Sequence, residues 1–193
     1  MFEKTCIVHP FDPVFNSKSR ILILGSFPSV KSREQMFYYG HPQNRFWKIL
    51  AGIFEEQIPQ TIEQKKDFLL SHGIALWDVI GQCEIKGSAD STITNPIANN
   101  LNRLLSETSI QTVFCNGRKA QQEFEKHQAK STRIQPVYLP SSSPANAGYS
   151  LEKLIAVWKP LILNALQNSQ AQASDKEFAA NSGNIDSEKK VPE

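Results

Sequence analysis

The feature that most constrains the fold is a continuous apolar run, Ile21–Leu24, that ends at Gly25. A short run of branched residues without polar alternation is typical of a strand that is buried on both faces of a parallel sheet. Three further strand-like runs, at 74–80, 112–115 and 136–139, are separated from it and from one another by segments of helical character. Strands separated by helices imply right-handed crossovers. The sequence therefore predicts a three-layer α/β/α sandwich around a mostly parallel, four-stranded central sheet.

Helices are predicted where apolar residues recur at helical spacing next to a residue that can cap or start a helix. The clearest case follows Ser150, where one apolar face runs to Leu166 and Pro160 should bend the helix. The predicted helices begin at about Asn44, Thr61, Pro96, Arg118 and Ser150. The chain up to Ser19 is predicted to be an irregular arm, and residues 81–95 a polar surface loop.

Composition indicates one folded domain followed by a polar tail. A chain of 193 residues with 40% hydrophobic content can bury a substantial core. Large apolar residues become rare after residue 167, which predicts a folded domain over residues 1–166 and a disordered polar tail over residues 167–193. The tail has five acidic and three basic residues, so removing its charge of −2 from the whole-chain +2 leaves +4 on the domain. This charge permits a polyanionic partner without requiring one.

Several classes of protein are disfavoured by the sequence. Cys6, Cys83 and Cys115 are scattered without a CxxC pair, which argues against a disulfide framework, a zinc site and an iron–sulfur cluster. GSFPS, residues 25–29, has one glycine and so matches neither the dinucleotide fingerprint nor the P-loop. No segment is apolar enough to span a membrane, and the first ten residues are too charged for a signal peptide. We therefore expect a cytoplasmic protein without metal or cofactor.

Two motifs follow predicted strands and should face a common cleft. GSFPS follows the first strand, and LPSSSPAN, residues 139–146, follows the last. Ligands of open α/β sheets bind outside the carboxyl ends of the strands, so both motifs are expected at the ligand-binding edge. The loop after GSFPS adds aromatic and polar side chains, among them Tyr38, His41 and Asn44. Any chemistry is predicted to take place there.

The ordered set of GSFPS, YYGHPQNRFW (38–47), VFCNGRKA (113–120) and LPSSSPAN resembles the uracil-DNA glycosylase superfamily, and within it the deoxyinosine (hypoxanthine) DNA glycosylases. The resemblance extends from Arg20 to about Leu166. The related mismatch-specific uracil glycosylases also carry a HPxNRFW-like segment, but their first motif has a water-positioning asparagine where this chain has Phe27. The resemblance implies a glycosylase that removes deaminated bases, hypoxanthine above all, from double- or single-stranded DNA.

Such an enzyme flips the base into a pocket, stacks it on an aromatic ring and cleaves the N-glycosidic bond with water, leaving an abasic site. No lysine occupies GSFPS, YYGHPQNRFW or LPSSSPAN, where a Schiff-base lyase would need one, so water is the expected nucleophile. The protein is also expected to be a monomer. The resemblance implies that the catalytic residues are Asn44 and Ser26. The implied base-binding residues are Gly25, Phe27, Pro28, Ser29, Tyr38, Tyr39 and His41. The implied DNA-binding residues, on a loop stiff enough to press into the minor groove, are Ser141, Ser142, Ser143, Pro144 and Asn146.

Simpler structural roles exist for several of these residues. Asn44 can act as a helix cap and His41 can shape a turn, whereas Phe46 and Trp47 lie on a helical face typical of a core. Two functional alternatives also remain: a mismatch-specific uracil-DNA glycosylase, and a non-catalytic nucleic-acid-binding module on the same fold. Hypoxanthine and uracil both present a carbonyl beside a ring N–H, so a carboxamide pairs with either. Rejection of adenine requires contacts that lock the orientation of the amide.

Overall fold

The computed structural model describes residues 5–86 and 89–182, and its described side chains end at Ser169. The strands are Thr5–Val8 (β1), Ile21–Gly25 (β2), Ile74–Asp78 (β3), Ile80–Ile85 (β4), Thr94–Ala98 (β5), Thr112–Asn116 (β6) and Val137–Leu139 (β7). The α-helices are Val30–Glu34 (α1), Phe46–Phe54 (α2), Ile62–Ser71 (α3), Asn102–Ser106 (α4), Arg118–His127 (α5), Ala129–Thr132 (α6) and Leu151–Ser182 (α7). A short 3₁₀ helix covers Asp90–Thr92.

The central sheet has the order β3-β2-β6-β7, and all of its strand pairs are parallel. Alternate residues of β2 face opposite layers. Ile21 and Ile23 pack in a cluster with α2, α3 and α7, whereas Leu22 and Leu24 pack in a second cluster with α4 and α5. Because both faces of β2 are covered, its sequence is continuously apolar. The predicted three-layer α/β/α sandwich with a four-stranded parallel sheet is confirmed.

A second, antiparallel sheet of order β1-β4-β5 was not predicted. The segment expected to be a surface loop contains β4, and the helix expected from Pro96 is replaced by β5 followed by the short helix α4. Likewise β1 lies in the expected irregular arm. Pro96 fits β5 because this strand pairs only with β4, so its other edge needs no backbone donor. The inner face of the sheet is apolar, and Ile80 and Cys83 pack there against Phe27.

The last helix, α7, passes through the predicted domain boundary. It begins after Ser150, as predicted, contains Pro160, and continues to Ser182. The helix covers residues 167–182 of the predicted tail, because no glycine or proline follows Pro160 within it and an existing helix extends without a new nucleus. The remainder of the predicted tail, residues 183–193, lies outside the described residues, and the division of the chain at residue 166 stays a prediction. None of the helices in the described part is long and apolar enough to cross a membrane.

Candidate active site

A cavity of about 530 Å³ lies at the carboxyl edge of the parallel sheet. Three of its wall residues, Gly25, Asp78 and Asn116, are the last residues of β2, β3 and β6. The remaining walls come from α1 and the two loops that flank it, from the connection between β4 and β5, and from the loop after β7. The volume is ordinary for a site that binds a small molecule or a flipped base.

The cavity brings together most of the residues that the resemblance implied. The wall residues that were predicted are Gly25, Ser26, Phe27, Pro28, Ser29, Tyr38, Tyr39, His41, Asn44, Ser141, Ser142, Ser143 and Pro144. Asn146 is predicted but is not part of the wall. The wall residues that were not predicted are Ser32, Asp78, Ala89, Ser91, Asn116 and Ala145. The two motifs therefore face one cleft, as their positions after β2 and β7 predicted.

The Asn44 carboxamide has a fixed orientation. The Phe46 N–H donates to Asn44 Oδ1 at 3.0 Å, and the Asn44 N–H donates to the His41 carbonyl at 2.8 Å. Asn44 was predicted to be the N-cap of α2, but the N-cap is Arg45, which makes no side-chain capping bond. Asn44 therefore supports the helix from the residue before the N-cap. Because its oxygen is held by a backbone donor, the amide nitrogen is the end of Asn44 that can donate into the cavity.

His41 shapes a turn and also lies in the cavity wall. The Gln43 N–H donates to His41 Nδ1 at 3.2 Å, which shapes the turn before α2. In the neutral imidazole, an accepting Nδ1 places the hydrogen on Nε2. His41 is also part of the cavity wall, so this Nε2–H can serve as a donor there.

The aromatic residues divide between the cavity wall and the core. Tyr39 stacks on Phe46 with ring centroids 3.9 Å apart, and its backbone is left-handed, with φ of +53°. Tyr38 is 2% exposed and donates its hydroxyl to the Asp12 carbonyl at 2.9 Å. Burial raises the pKa of the Tyr38 hydroxyl above its ordinary value, so the group stays protonated. Phe46 and Trp47 are buried in the core, as the structural alternative predicted.

The Ser29 hydroxyl has a structural role at the cavity wall, and its expected role in base binding stays a prediction. It accepts the Ser32 N–H at 3.2 Å and so caps α1. The Ser32 hydroxyl in turn accepts the Gly40 N–H at 3.1 Å. These bonds connect the first motif to the loop that carries His41, and they hold the cavity wall in place.

Ser142 was expected to contact DNA, but its side chain is fully buried. The Asn116 Nδ2 donates to Ser142 Oγ at 2.9 Å, and the Ser142 N–H donates to Asn116 Oδ1 at 2.9 Å. This reciprocal pair uses both ends of the Asn116 carboxamide and anchors the loop to the end of β6. The expected DNA contact is therefore replaced by a positioning role, which depends on a partner that sequence spacing does not reveal.

The rest of this loop is stabilised by bonds between its own residues. Ser141 Oγ accepts the Ser143 N–H, and Ser143 Oγ accepts the Ala145 N–H, both at 3.2 Å. The Asn146 Nδ2 donates to the Ser141 carbonyl at 2.9 Å, so this side chain also faces the loop. Pro144 and Ala145 form the exposed tip beside the cavity.

Arg45 is the main structural residue that the sequence reasoning missed. Its guanidinium donates to the carbonyls of Ser142 at 3.2 Å and Asn146 at 3.1 Å, and also to those of Ser143 and Tyr149. Arg45 thereby ties the segment before α2 to the loop after β7. The sequence did contain one signal of this role. A cation is unfavourable near the positive end of a helix dipole, so an arginine at the start of an apolar helix indicates a further interaction for its side chain.

Asp78 is the second missed residue, and it is 4% exposed at the end of β3. Its Oδ2 lies 2.9 Å from His9 Nε2. The available signal was an acidic residue within the apolar run IALWDVI. Among the described residues, no group of three or more His, Cys, Asp or Glu side chains could hold a metal ion.

Comparison with known proteins places this site in a family. The family model of the uracil DNA glycosylase superfamily matches residues 13–167. Two relatives are described as hypoxanthine DNA glycosylase. The one from Methanosarcina acetivorans is 36% identical, and the match covers 72% of this chain and 89% of the relative. The one from Methanosarcina barkeri is 34% identical, and the match covers 57% of this chain and 71% of the relative. The solution NMR structure of a Methanosarcina acetivorans protein, provisionally described as a uracil DNA glycosylase, covers 80% of this chain and 99% of its own with 32% identity and a TM-score of 0.67. The chain therefore belongs to the uracil DNA glycosylase superfamily.

Proposed function

We propose that this protein is a monofunctional DNA glycosylase that hydrolyses the N-glycosidic bond of hypoxanthine in DNA and leaves an abasic site. Relatives described as hypoxanthine DNA glycosylase support this activity. The structural observation that carries the proposal is the Asn44 carboxamide at the cavity wall, with its oxygen held by the Phe46 N–H. This arrangement presents an oriented donor to a planar ligand.

The geometry suits a flipped purine with a carbonyl on its exposed edge. The ring has aromatic neighbours in Tyr39 and Phe27, and the Asn44 Nδ2 can donate to the hypoxanthine carbonyl. As the bond to the sugar breaks, negative charge develops on the departing base, and oriented donors stabilise it. Adenine places an amino group where hypoxanthine has this carbonyl, so the locked amide faces it donor to donor. The bond from the Phe46 N–H to Asn44 Oδ1, which holds the amide in this orientation, supports the proposed rejection of adenine.

The exposed tip at Pro144 and Ala145 is proposed to contact the opened duplex. These residues lie at the cavity rim on a loop that Arg45 and Asn116 hold rigidly. A rigid apolar tip can occupy the space that a flipped base leaves. The monomeric state and the cytoplasmic location stay predictions.

A panel of duplexes tests the activity. Each duplex carries one deoxyinosine, deoxyuridine, deoxyxanthosine or thymine mismatch, and alkali converts abasic sites into strand breaks. We expect cleavage of the deoxyinosine duplex, and no cleavage at deoxyadenosine because of the locked amide. Cleavage confined to deoxyuridine mismatches would instead identify a mismatch-specific uracil glycosylase. Binding without any abasic product would identify a non-catalytic module.

Replacing Pro144 and Ala145 together by glycine tests the role of the loop tip. We expect excision from duplex DNA to fall about tenfold, and excision from single strands to change little, because only the duplex must be unstacked. Single-turnover rates on matched duplex and single-stranded deoxyinosine substrates make the comparison. Equal losses on both substrates would show that the tip serves the pocket or the fold.

A further inference from the structure

A buried carboxylate reaches the cavity because Gly25 has no side chain. Asp78 and Gly25 are partners in the parallel register of β3 and β2. A Cβ at Gly25 would lie 2.1 Å from Asp78 Oδ1 and 3.0 Å from Tyr39 Oη. The carboxylate thus occupies the space above Gly25, and it is part of the cavity wall. This gives the single glycine of the first motif a physical role.

His9 fixes the other oxygen of this carboxylate. His9 Nε2 lies 2.9 Å from Asp78 Oδ2, and the two side chains are 4% and 5% exposed. An ionised carboxylate only accepts, so Nε2 carries the hydrogen. The His9 ring packs edge-on against Phe11 and Phe27, with centroids 4.6 and 6.1 Å away. With Oδ2 engaged, Oδ1 is the oxygen that faces Gly25 and Tyr39.

The reaction needs a group that can accept a proton from water. Phe27 lies in the cavity wall, but its hydrocarbon ring can neither hold water by a hydrogen bond nor accept a proton. The oxygen of Asn44 accepts the Phe46 N–H, and Nδ1 of His41 accepts the Gln43 N–H. Among the wall residues that the structure describes, Asp78 carries the one carboxylate. Carboxylates are common general bases when they are positioned beside the reacting atoms.

We propose that Asp78 is the general base of the reaction and that His9 is its positioning residue; this inference rests on the proposed function. Asp78 Oδ1 holds the attacking water and takes one of its protons. The water oxygen bonds to C1′ of the sugar while the bond from C1′ to the base nitrogen breaks. The electron pair of that bond leaves with the base. The base anion then takes a proton from solvent, and Asp78 returns its proton to solvent.

Asp78→Asn keeps the shape of the side chain and an acceptor for His9 but removes the base. We expect its single-turnover rate on a deoxyinosine duplex to fall about a hundredfold. Its affinity for a duplex with non-hydrolysable 2′-fluoro-deoxyinosine should stay within about threefold of wild type, since the loss is confined to the chemical step. Glu123→Gln is the matched control, because this carboxylate is 8% exposed, pairs with His127 at 3.3 Å and lies on α5 away from the cavity. The control should excise at the wild-type rate.

Two further measurements separate a base from a structural carboxylate. Sodium formate should raise the rate of Asp78→Ala about tenfold or more, because a small carboxylate can enter the vacated space and accept the proton. His9→Leu should lower the rate about tenfold, whereas His9→Gln retains an N–H donor and should recover most of it. If Asp78→Asn does not fold, the two His9 variants decide the question.

Some outcomes would overturn the inference while leaving the proposed function intact. In each of them the wild type is active. The rate of Asp78→Asn stays within about threefold of the wild-type rate, or its loss of rate is matched by an equal loss of affinity for the duplex. Alternatively, formate does not raise the rate of Asp78→Ala, or His9→Leu excises at the wild-type rate. If the wild type releases no base from any duplex, the proposed function is wrong, and the inference fails with it.

Discussion

Asn44→Ala should lower the single-turnover rate of hypoxanthine excision on the order of a hundredfold, as the loss of one preorganised donor does in other enzymes. The variant loses both the Nδ2 donor at the cavity wall and the bond from the Phe46 N–H to Oδ1. The second loss should cost about 1 kcal/mol of stability, as for a capping interaction. Excess enzyme and a deoxyinosine duplex give the rate, and urea unfolding gives the stability.

Two variants separate catalysis from support of the helix. Asn100→Ala is the matched control, because Asn100 Oδ1 accepts the Asn102 N–H at 3.0 Å in the same arrangement at the start of α4. It should lose similar stability and no activity. Asn44→Asp keeps an acceptor for Phe46 but removes the donor and adds charge beside the departing anion, so it should stay folded and excise poorly. If Asn44→Asp excises at nearly the wild-type rate, Asn44 only supports the helix.

The central sheet could be predicted because the cause of each strand is local. Every residue of β2 is buried, so its apolar run is visible without knowledge of its neighbours. The antiparallel sheet could not be predicted in this way, because the pairing of β4 with β5 shifts register twice, near Gln82 and Glu84. Such irregularities break the two-residue alternation by which a half-buried strand is identified. The helical period after Pro96 comes from Leu104 and Leu105, which do lie in α4, so the prediction was wrong only in starting the helix before Asn102.

The same distinction between local and distant causes decides which features of the candidate site could be predicted. Both motifs follow strands of one parallel sheet, so their meeting at one cavity follows from topology alone. Whether a given side chain faces the ligand or supports the loop depends on a distant partner. Ser142 and Pro144 look equally suited to contact DNA in the sequence, yet Asn116 and Arg45 draw the first into the interior and leave the second at the tip. His9 and Asp78 are likewise 69 residues apart.

Arg45→Met should give the largest loss of stability among these variants, about 2 to 4 kcal/mol, because it leaves several partly buried carbonyls without a donor. Those carbonyls belong to the loop after β7, from Ser142 to Tyr149. Arg45→Lys should recover little, since one ammonium group cannot match the directions of a guanidinium fork. Urea unfolding measures the free energy of unfolding for both variants.

The same substitution should lower excision on duplex and single-stranded DNA alike, by about tenfold or more, because this loop forms part of the pocket wall as well as the tip. Arg20→Met is the matched control, since Arg20 also donates to carbonyls, at 3.1 Å to Leu166 and 3.5 Å to His72, but remote from the cavity. It should lose stability while its folded fraction excises at the wild-type rate. If Arg45→Met behaves like Arg20→Met, Arg45 stabilises the fold without positioning the site. If it loses activity only on duplex DNA, the guanidinium holds the DNA-contacting tip and the pocket wall stands without it.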